Sequence, residues 1–472
     1  MTYPDLTALI KSYDIRGIVG EALTEDVARA IGVAFVDAIV IPDGESAVVI
    51  GHDMRESGPG LAAAVAEGVT ARGIDVIRIG LCSTDGLYHA SGALDLPGVM
   101  ITASHNPAAY NGMKLCRSKA RAVGEQTGLA EVRELTARYL VDGFEPASAP
   151  GSVTDRDTLA DYGAFLRVLV PLDGIRPLKV VVDAANAMAG HTVPAVLGTA
   201  AGLPALPIDI VPMYFELDGT FPHHEPNPLE TENLRDLQAA VLEHGADIGL
   251  AFDGDADRCF VVDEKGQVVS PSAITCLVGL RETEREHQAG RIPTVIHNLI
   301  CSRAVPEQLR AARARTVRAR VGHSYIKAQM AELDAVFGGE HSAHFYFRDF
   351  WFADSGMLAA MHVLAALGSQ DAPLSELLAA HDPYVASGEI NSTVADVAAA
   401  TQRVRDAFVT DGVDSDDFDG LTVSHWDGHD EKWWFNVRPS NTEPLLRLNV
   451  EAAEQDVMER VRDSVLAVIR EG

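Results

Sequence analysis

Residues 47–79 read AVVIGHDMRESGPGLAAAVAEGVTARGIDVIRI. The β-branched run at 47–51 is a strand, and Asp53 to Pro59 is rich in loop formers. A helix over 60–72 then sets Leu61, Val65 and Val69 on one face, each four residues from the next. Residues 74–79 form the next strand. Strand, loop, helix and strand within about thirty residues is the length of one βαβ unit. A second unit starts with 178–182, a strand apolar but for Lys179, of the kind that helices cover on both faces. It runs through a helix at 231–244 to a strand at 248–252. A third holds a strand at 294–297, an Arg-rich helix at 302–314 and a strand at 316–321. The end of the chain changes character: strands at 390–397, 421–425, 433–437 and 445–451 precede a helix at 454–470, an α+β pattern. Residues 1–12 have the spacing of an amphipathic helix, and the stretch 143–152 reads as a linker.

The 472 residues exceed one hydrophobic core, and a chain of this length makes roughly three or four domains. Apolar residues are 47% and charged residues 22%, ordinary for a globular protein. The formal charge of −30 leaves no basic footprint, which excludes a nucleic-acid partner. An anionic ligand would have to be met locally by Arg, Lys, backbone N–H groups or a metal. Five scattered cysteines without a Cys-x-x-Cys pair point to a reducing compartment. The first residues lack a signal peptide's basic and apolar regions. The longest apolar run, 31–41, is too short for a bilayer and carries Asp37. The expectation is a cytoplasmic protein with no membrane partner.

Four loops carry the chemistry, each at the end of a strand. After the apolar 99–101 comes Thr102-Ala103-Ser104-His105-Asn106-Pro107, a turn that displays a hydroxyl and an imidazole, with the amine of Lys114 close behind. Alone, this loop reads equally as a turn without chemistry. The strand 248–252 ends in Asp253-Gly254-Asp255-Ala256-Asp257-Arg258. Three alternating carboxylates would repel one another without a cation, and a hard divalent ion wants oxygen ligands. An EF-hand needs Gly at the sixth position, where Arg258 stands, so Mg²⁺ is the better reading. Gly339-Glu340-His341-Ser342-Ala343-His344 offers alternating polar groups that would share one side of an extended chain and reach sugar hydroxyls, or would close a hydrogen-bonded turn. Arg438-Pro439-Ser440-Asn441-Thr442 combines charge with several donors, as a phosphate clamp does. His223 and His224 are adjacent, which suits a structural loop better than a metal.

In order and spacing the four loops resemble the α-D-phosphohexomutase family, in its phosphomannomutase/phosphoglucomutase branch. The resemblance covers essentially the whole chain. It implies an α/β fold of four domains around a central cleft: three similar mixed α/β sandwich domains (1–151 with the phosphoserine loop, 152–257 with the metal loop, 258–380 with the sugar loop) and a C-terminal α+β lid domain, 381–472, with the phosphate loop. It implies an intramolecular phosphotransferase that interconverts mannose 1-phosphate and mannose 6-phosphate through a phosphoserine at Ser104. The cofactors implied are Mg²⁺, held by Ser104, Asp253, Asp255 and Asp257, and glucose 1,6-bisphosphate or mannose 1,6-bisphosphate as activator and intermediate. The catalytic group implied is Ser104, Lys114, His105, Arg16 and His323, with Arg258 stabilising the phosphoserine. The hexose phosphate substrate would meet Tyr13, Glu340, Ser342, His344, Arg438, Ser440, Asn441, Thr442 and Arg447. A Glu–Ser pair reading the 3- and 4-hydroxyls would not separate mannose from glucose, so glucose phosphates fit as well. A phosphoglucosamine mutase and a Mg²⁺-dependent sugar phosphatase are the rival activities, and a monomer or homodimer is expected. Two departures stand out. The family often has Gly where Ala256 stands, and a methyl is tolerable there if φ is negative. A Lys frequent in the family is missing from His297-Asn298-Leu299-Ile300-Cys301.

Overall fold

The βαβ unit read from 47–79 forms as strand Ala47–His52, helix Gly58–Ala71 and strand Asp75–Leu81, the two strands parallel. The computed structural model describes residues 3–439 and 445–471, apart from the side chain of His323. Leu61, Val65 and Val69 are buried against the sheet, as their spacing requires. Strand Gly98–Ile101 joins parallel to Ala47–His52, and Tyr110–Arg117 returns antiparallel beside it. The Ser104 loop is therefore the turn of an antiparallel pair. Strand Ile15–Ile18 closes one edge and Val153–Asp155 extends the other.

Helix Glu25–Phe35 packs on helix Gly58–Ala71 with almost no side chain between them. A Cβ on Gly32 would meet the Val65 carbonyl oxygen at 2.5 Å, and one on Gly68 the Arg29 carbonyl oxygen at 2.2 Å. Residues 3–12 do not form the expected helix. Leu6 accepts from the N–H groups of Leu9 and Ile10, and Ile10 then bridges to Ile15. Burying Leu9 and Ile10 beside a strand outweighs a short helical pattern that contains Pro4.

The second sheet has the order Cys259–Asp263, Ile248–Phe252, Leu178–Asp183, Ile208–Met213. It is parallel except for its antiparallel edge strand Cys259–Asp263. The aspartate loop thus also turns between two antiparallel strands. Further on, Thr294–Asn298 and Arg315–Ala319 pair parallel, and Phe345–Phe347 pairs antiparallel with Ala353–Asp354. The final sheet is wholly antiparallel: Val385–Thr393, Leu445–Ala452, Trp433–Pro439, Leu421–His425, Asp414–Asp416. Helices Val397–Phe408 and Gln455–Arg470 cover it. The α/β fold with an α+β C-terminal domain is the architecture expected.

The chain divides into two compact units, residues 1–271 with 327–338 and 342–377, and residues 272–326 with 339–341 and 378–472. Among the described residues no helix is long and apolar enough to cross a membrane. All five cysteines are buried free thiols.

One buried carboxylate ties the first unit together. Asp85 accepts hydrogen bonds from Ser83 Oγ (2.5 Å), Tyr162 Oη (2.7 Å) and Ser355 Oγ (2.6 Å). Burial pushes its pKa up to about 6 against those three donors. A carboxyl whose folded pKa lies above its unfolded value gives stability below the unfolded pKa, near 3.8, and loses it as pH rises through 6. The stability of the wild type relative to Asp85→Asn should therefore fall by about 3 kcal/mol between pH 4 and 7. Urea unfolding of both proteins across that range checks this.

Candidate active site

The loop 102–109 is bent so that Ser104 adopts φ +48°, a left-handed conformation costly for a residue with a β-carbon. Thr102 Oγ1 accepts from the Ser104 N–H at 2.9 Å. Arg55 supplies the rest of the restraint. Its guanidinium, almost fully buried, donates to the carbonyl oxygens of Ser104 (2.9 Å), Asn106 (2.6 Å), Pro107 (2.9 Å) and Tyr110 (2.8 Å). Asp53 pairs with it at 3.4 Å, and it lies over the Phe221 ring.

Ser104 Oγ donates to Asp253 Oδ2 at 2.7 Å and lies 3.2 Å from His105 Nδ1. The two loops meet main chain to main chain: a Cβ on Gly254 would sit 2.2 Å from the Ser104 carbonyl oxygen. Arg258 donates through Nε to Asp253 Oδ2 (3.0 Å) and through Nη2 to His105 Nδ1 (2.6 Å). Burial, then the charges of Arg258 and Arg16, push the His105 pKa well down, so the ring is neutral. Arg16 is held by Asp14 (2.9 Å) and donates to Asn106 Oδ1 (2.8 Å). Tyr13 stands in the bend before strand Ile15–Ile18.

Lys114 Nζ reaches Asp255 Oδ2 at 2.7 Å and Asp257 Oδ2 at 2.5 Å. Burial alone would lower its pKa, but the two carboxylates outweigh burial and raise it. The lowered pKa that would make Lys114 a ready base is not what this arrangement gives: Lys114 is a charged ion-pair partner. Asp255 is likewise held ionised, because Lys114 and Thr84, whose hydroxyl donates to it at 2.5 Å, outweigh burial. Asp253 is pushed up by burial and by Asp257 and Asp255, against Arg258.

Oxygens of Asp253, Asp255 and Asp257 lie within 4.8 Å of one another. Asp255 Oδ1 and Asp257 Oδ1 are buried without a hydrogen-bond partner. Two orphaned carboxylate oxygens facing a third carboxylate are the donor set of a hard divalent cation. Ala256 stands at φ +59°, so the negative φ expected to excuse its methyl is absent. Its N–H bonds the Asp253 carbonyl oxygen while the Arg258 N–H bonds Asp253 Oδ1, and this tight turn forces the left-handed step. Ala256→Gly should stabilise the protein by up to about 1 kcal/mol, read as a higher denaturation midpoint.

The segment 340–344 is a turn, not extended chain, with Ala343 at φ +65°. The alternation therefore does not align Glu340, Ser342 and His344. In the first unit Ser342 Oγ lies 3.1 Å from His344 Nδ1, and His344 Nε2 lies 3.6 Å from Asp257 Oδ1. In the second unit buried Glu340 accepts from the Gly322 N–H (3.2 Å) and from Asn298 Nδ2 (3.4 Å). There Arg438 and Arg447 face each other across adjacent strands, and Glu389 pairs with both, at 2.7 Å and 3.3 Å. Ser440, Asn441 and Thr442 and the side chain of His323 lie outside the described residues. His223 and His224 bond Asn186 and Asp183, as a structural loop does.

Sequence reasoning did not single out Arg55, Thr84, Asn298 or Lys327. Lys327 pairs with Asp354 at 2.6 Å and lies 4.0 Å from the Tyr88 ring centroid.

Comparison with known proteins agrees with this arrangement. Phosphoglucomutase/phosphomannomutase alpha/beta/alpha domains I, II and III match residues 7–139, 161–266 and 271–384, and the C-terminal domain matches 389–468. A phosphomannomutase of Salmonella typhimurium is 39% identical over 469 residues, 98% of each chain. The crystal structure of a phosphoglucomutase/phosphomannomutase family protein from Burkholderia thailandensis superposes with a TM-score of 0.85 at 30% identity, covering 99% of this chain and 98% of that one. An Aspergillus fumigatus N-acetylphosphoglucosamine mutase, solved with GlcNAc-6P and magnesium, shares the fold at 14% identity (TM-score 0.64, covering 99% of this chain and 97% of that one). With its serine set against three aspartates and four matching domains in order, the chain belongs to the phosphoglucomutase/phosphomannomutase family.

Proposed function

We propose that this protein is a phosphomannomutase that also accepts glucose phosphates, working through a phosphoserine at Ser104 and a hexose 1,6-bisphosphate. The supporting observation is the 2.7 Å approach of Ser104 Oγ to Asp253, in a loop that also presents orphaned oxygens of Asp255 and Asp257. With phosphate on Ser104, a hydroxyl of the hexose monophosphate attacks phosphorus. The Oγ–P bond breaks, the sugar O–P bond forms, the hydroxyl proton passes to a base, and the departing Ser104 Oγ takes up a proton. In the return transfer Ser104 Oγ attacks the other phosphate of the bisphosphate, the bond from that phosphorus to the sugar oxygen breaks, and the sugar oxygen takes up a proton. Ser104 Oγ must then shed its own hydrogen, and Asp253 Oδ2 and His105 Nδ1 are the acceptors within reach.

Arg258 and Arg16 supply fixed cations beside the transferring group. Lys114 holds the charge of Asp255 and Asp257 in balance. Asp253, Asp255, Asp257 and Ser104 would hold Mg²⁺, which when bound neutralises phosphoryl oxygens in the transition state. Glu340, Ser342 and His344 are the sugar contacts, and Arg438 and Arg447 with Ser440, Asn441 and Thr442 the contacts to the second phosphate. Glucose 1,6-bisphosphate or mannose 1,6-bisphosphate would prime Ser104. Buried free thiols throughout support a cytoplasmic setting.

A coupled assay with mannose, glucose and glucosamine 1-phosphates, Mg²⁺ and a trace of glucose 1,6-bisphosphate tests the reading. Turnover of the mannose and glucose esters, dependent on both additives, is expected. Fast turnover of glucosamine 1-phosphate alone would overturn the substrate assignment. Release of inorganic phosphate without isomerisation would make the protein a phosphatase.

A further inference from the structure

We propose that the second unit carries a separate binding site for a small dianionic phosphate group, formed by Arg303, Arg310 and Arg318 around a cavity of about 230 Å³. His297, Thr422 and Trp434 line the same cavity. None of these residues belongs to the four loops assigned to the reaction.

The chain brings the three guanidinium groups together in two ways. Arg303 and Arg310 are seven residues apart at either end of helix Ala304–Ala311, and two turns return a side chain to the same face. Arg318 comes from strand Arg315–Ala319, which follows that helix. Each is steered by a neighbour that leaves donors over. Arg310 Nε donates to Thr316 Oγ1 at 2.8 Å, and its two terminal nitrogens have no hydrogen bond or ion pair among the described residues. Arg303 Nη2 donates to Ser424 Oγ at 2.9 Å, and its guanidinium has no ion pair among the described residues. Arg318 pairs with Asp416 at 2.7 Å.

The neighbouring carboxylates are engaged elsewhere or with one cation. Asp416 is spent on Arg318. Glu307 accepts from Tyr384 Oη (2.6 Å) and Trp426 Nε1 (2.9 Å). Glu451 is buried and accepts from Trp434 Nε1 (2.6 Å) and from the Arg303 N–H (2.9 Å). Arg303 and Arg310 thus keep guanidinium groups without an ion pair among the described residues, in a chain whose formal charge is −30. The three guanidinium groups and His297 line one cavity. Burial first, and then the charges of Arg310, Arg318 and Arg303, push the His297 pKa down to about 4.

Like charges gathered beside a partly closed cavity repel one another unless an anion joins them. Guanidinium forks suit tetrahedral oxyanions because several N–H donors can meet several oxygens. A cavity below the size of ordinary small-molecule pockets selects a phosphate, or the head of a small phosphomonoester, over a whole nucleotide.

The test reads Trp434, which lines the cavity and whose indole N–H donates to Glu451. The full-length protein, labelled with ¹⁵N in tryptophan, is titrated with inorganic phosphate, and the Trp434 indole signal is identified by its loss in Trp434→Phe. A saturable shift is expected in the wild type and in Arg438→Gln, which alters the reaction's own phosphate clamp. In Arg310→Gln the apparent dissociation constant should rise at least tenfold, and Arg310→Lys should fall between. Arg310 is exposed, so its variants fold. Glycerol phosphate in a parallel titration tells a phosphomonoester, which would also shift the signal, from free phosphate, which alone would do so. An unmoved Trp434 signal, the same shift with chloride, or an unchanged constant in Arg310→Gln would overturn the proposal. Mutase turnover by Arg310→Gln in phosphate-free buffer should match the wild type, which separates this site from the reaction.

Discussion

Ser104→Ala should lower mutase turnover by about 10⁴-fold or more, because it removes the oxygen that receives and returns the phosphoryl group. The loss should fall on kcat, with KM for mannose 1-phosphate changing little. Stability should drop by only about 1 kcal/mol, the value of one exchanged hydrogen bond. Asp253 Oδ2 keeps its bonds from Arg258, and the Arg55 clamp acts on main-chain oxygens that alanine retains. Loss of turnover in a folded protein thus isolates the chemistry. Full activity in Ser104→Ala would eliminate the phosphoserine mechanism. The coupled assay, read beside thermal unfolding of both proteins, decides.

Lys114→Met should destabilise the protein by about 3–5 kcal/mol when no divalent cation is present, the usual cost of stripping one partner from a buried ion pair. Lys114 answers two carboxylates at once, and each of them has a second oxygen already without a partner. Added Mg²⁺ should restore more stability to the variant than to the wild type, since the ion would meet charge that Lys114 no longer balances. The comparison needs only melting temperatures with and without Mg²⁺. An equal gain in both proteins would separate the cation site from Lys114.

The strands were legible because buried strands leave a plain mark: 248–252 is a continuous apolar run, 178–182 is apolar except at Lys179, and both are fully or nearly buried. Helix Glu25–Phe35 was harder to see. Gly32 resembles a breaker until the neighbouring helix is known to need its missing side chain, although Thr24 before Glu25 and Asp26 was a usable start signal. The serine and aspartate loops were readable because their chemistry lies in consecutive residues. Arg55 was not, since its acceptors lie 49 to 55 residues further along and no period encodes that distance. The segment 340–344 stayed open between extended chain and turn because a period-two pattern fits a turn as well as a strand, and the structure has the turn. The left-handed step at Ala256 is a product of the turn around Asp253, which composition does not reveal.

Gly254 has a mechanical meaning. With hydrogen in place of a side chain, the serine loop and the aspartate loop rest on each other's main chain, where a Cβ would come within 2.2 Å of the Ser104 oxygen. The gap between nucleophile and carboxylates is then a hard stop, set by atomic radii and indifferent to rotamers. A single methyl there would act as a shim between two castings. Displacing reacting groups by about 1 Å costs on the order of a hundredfold in rate, so the smallest side chain in the loop sets the tolerance of the whole machine.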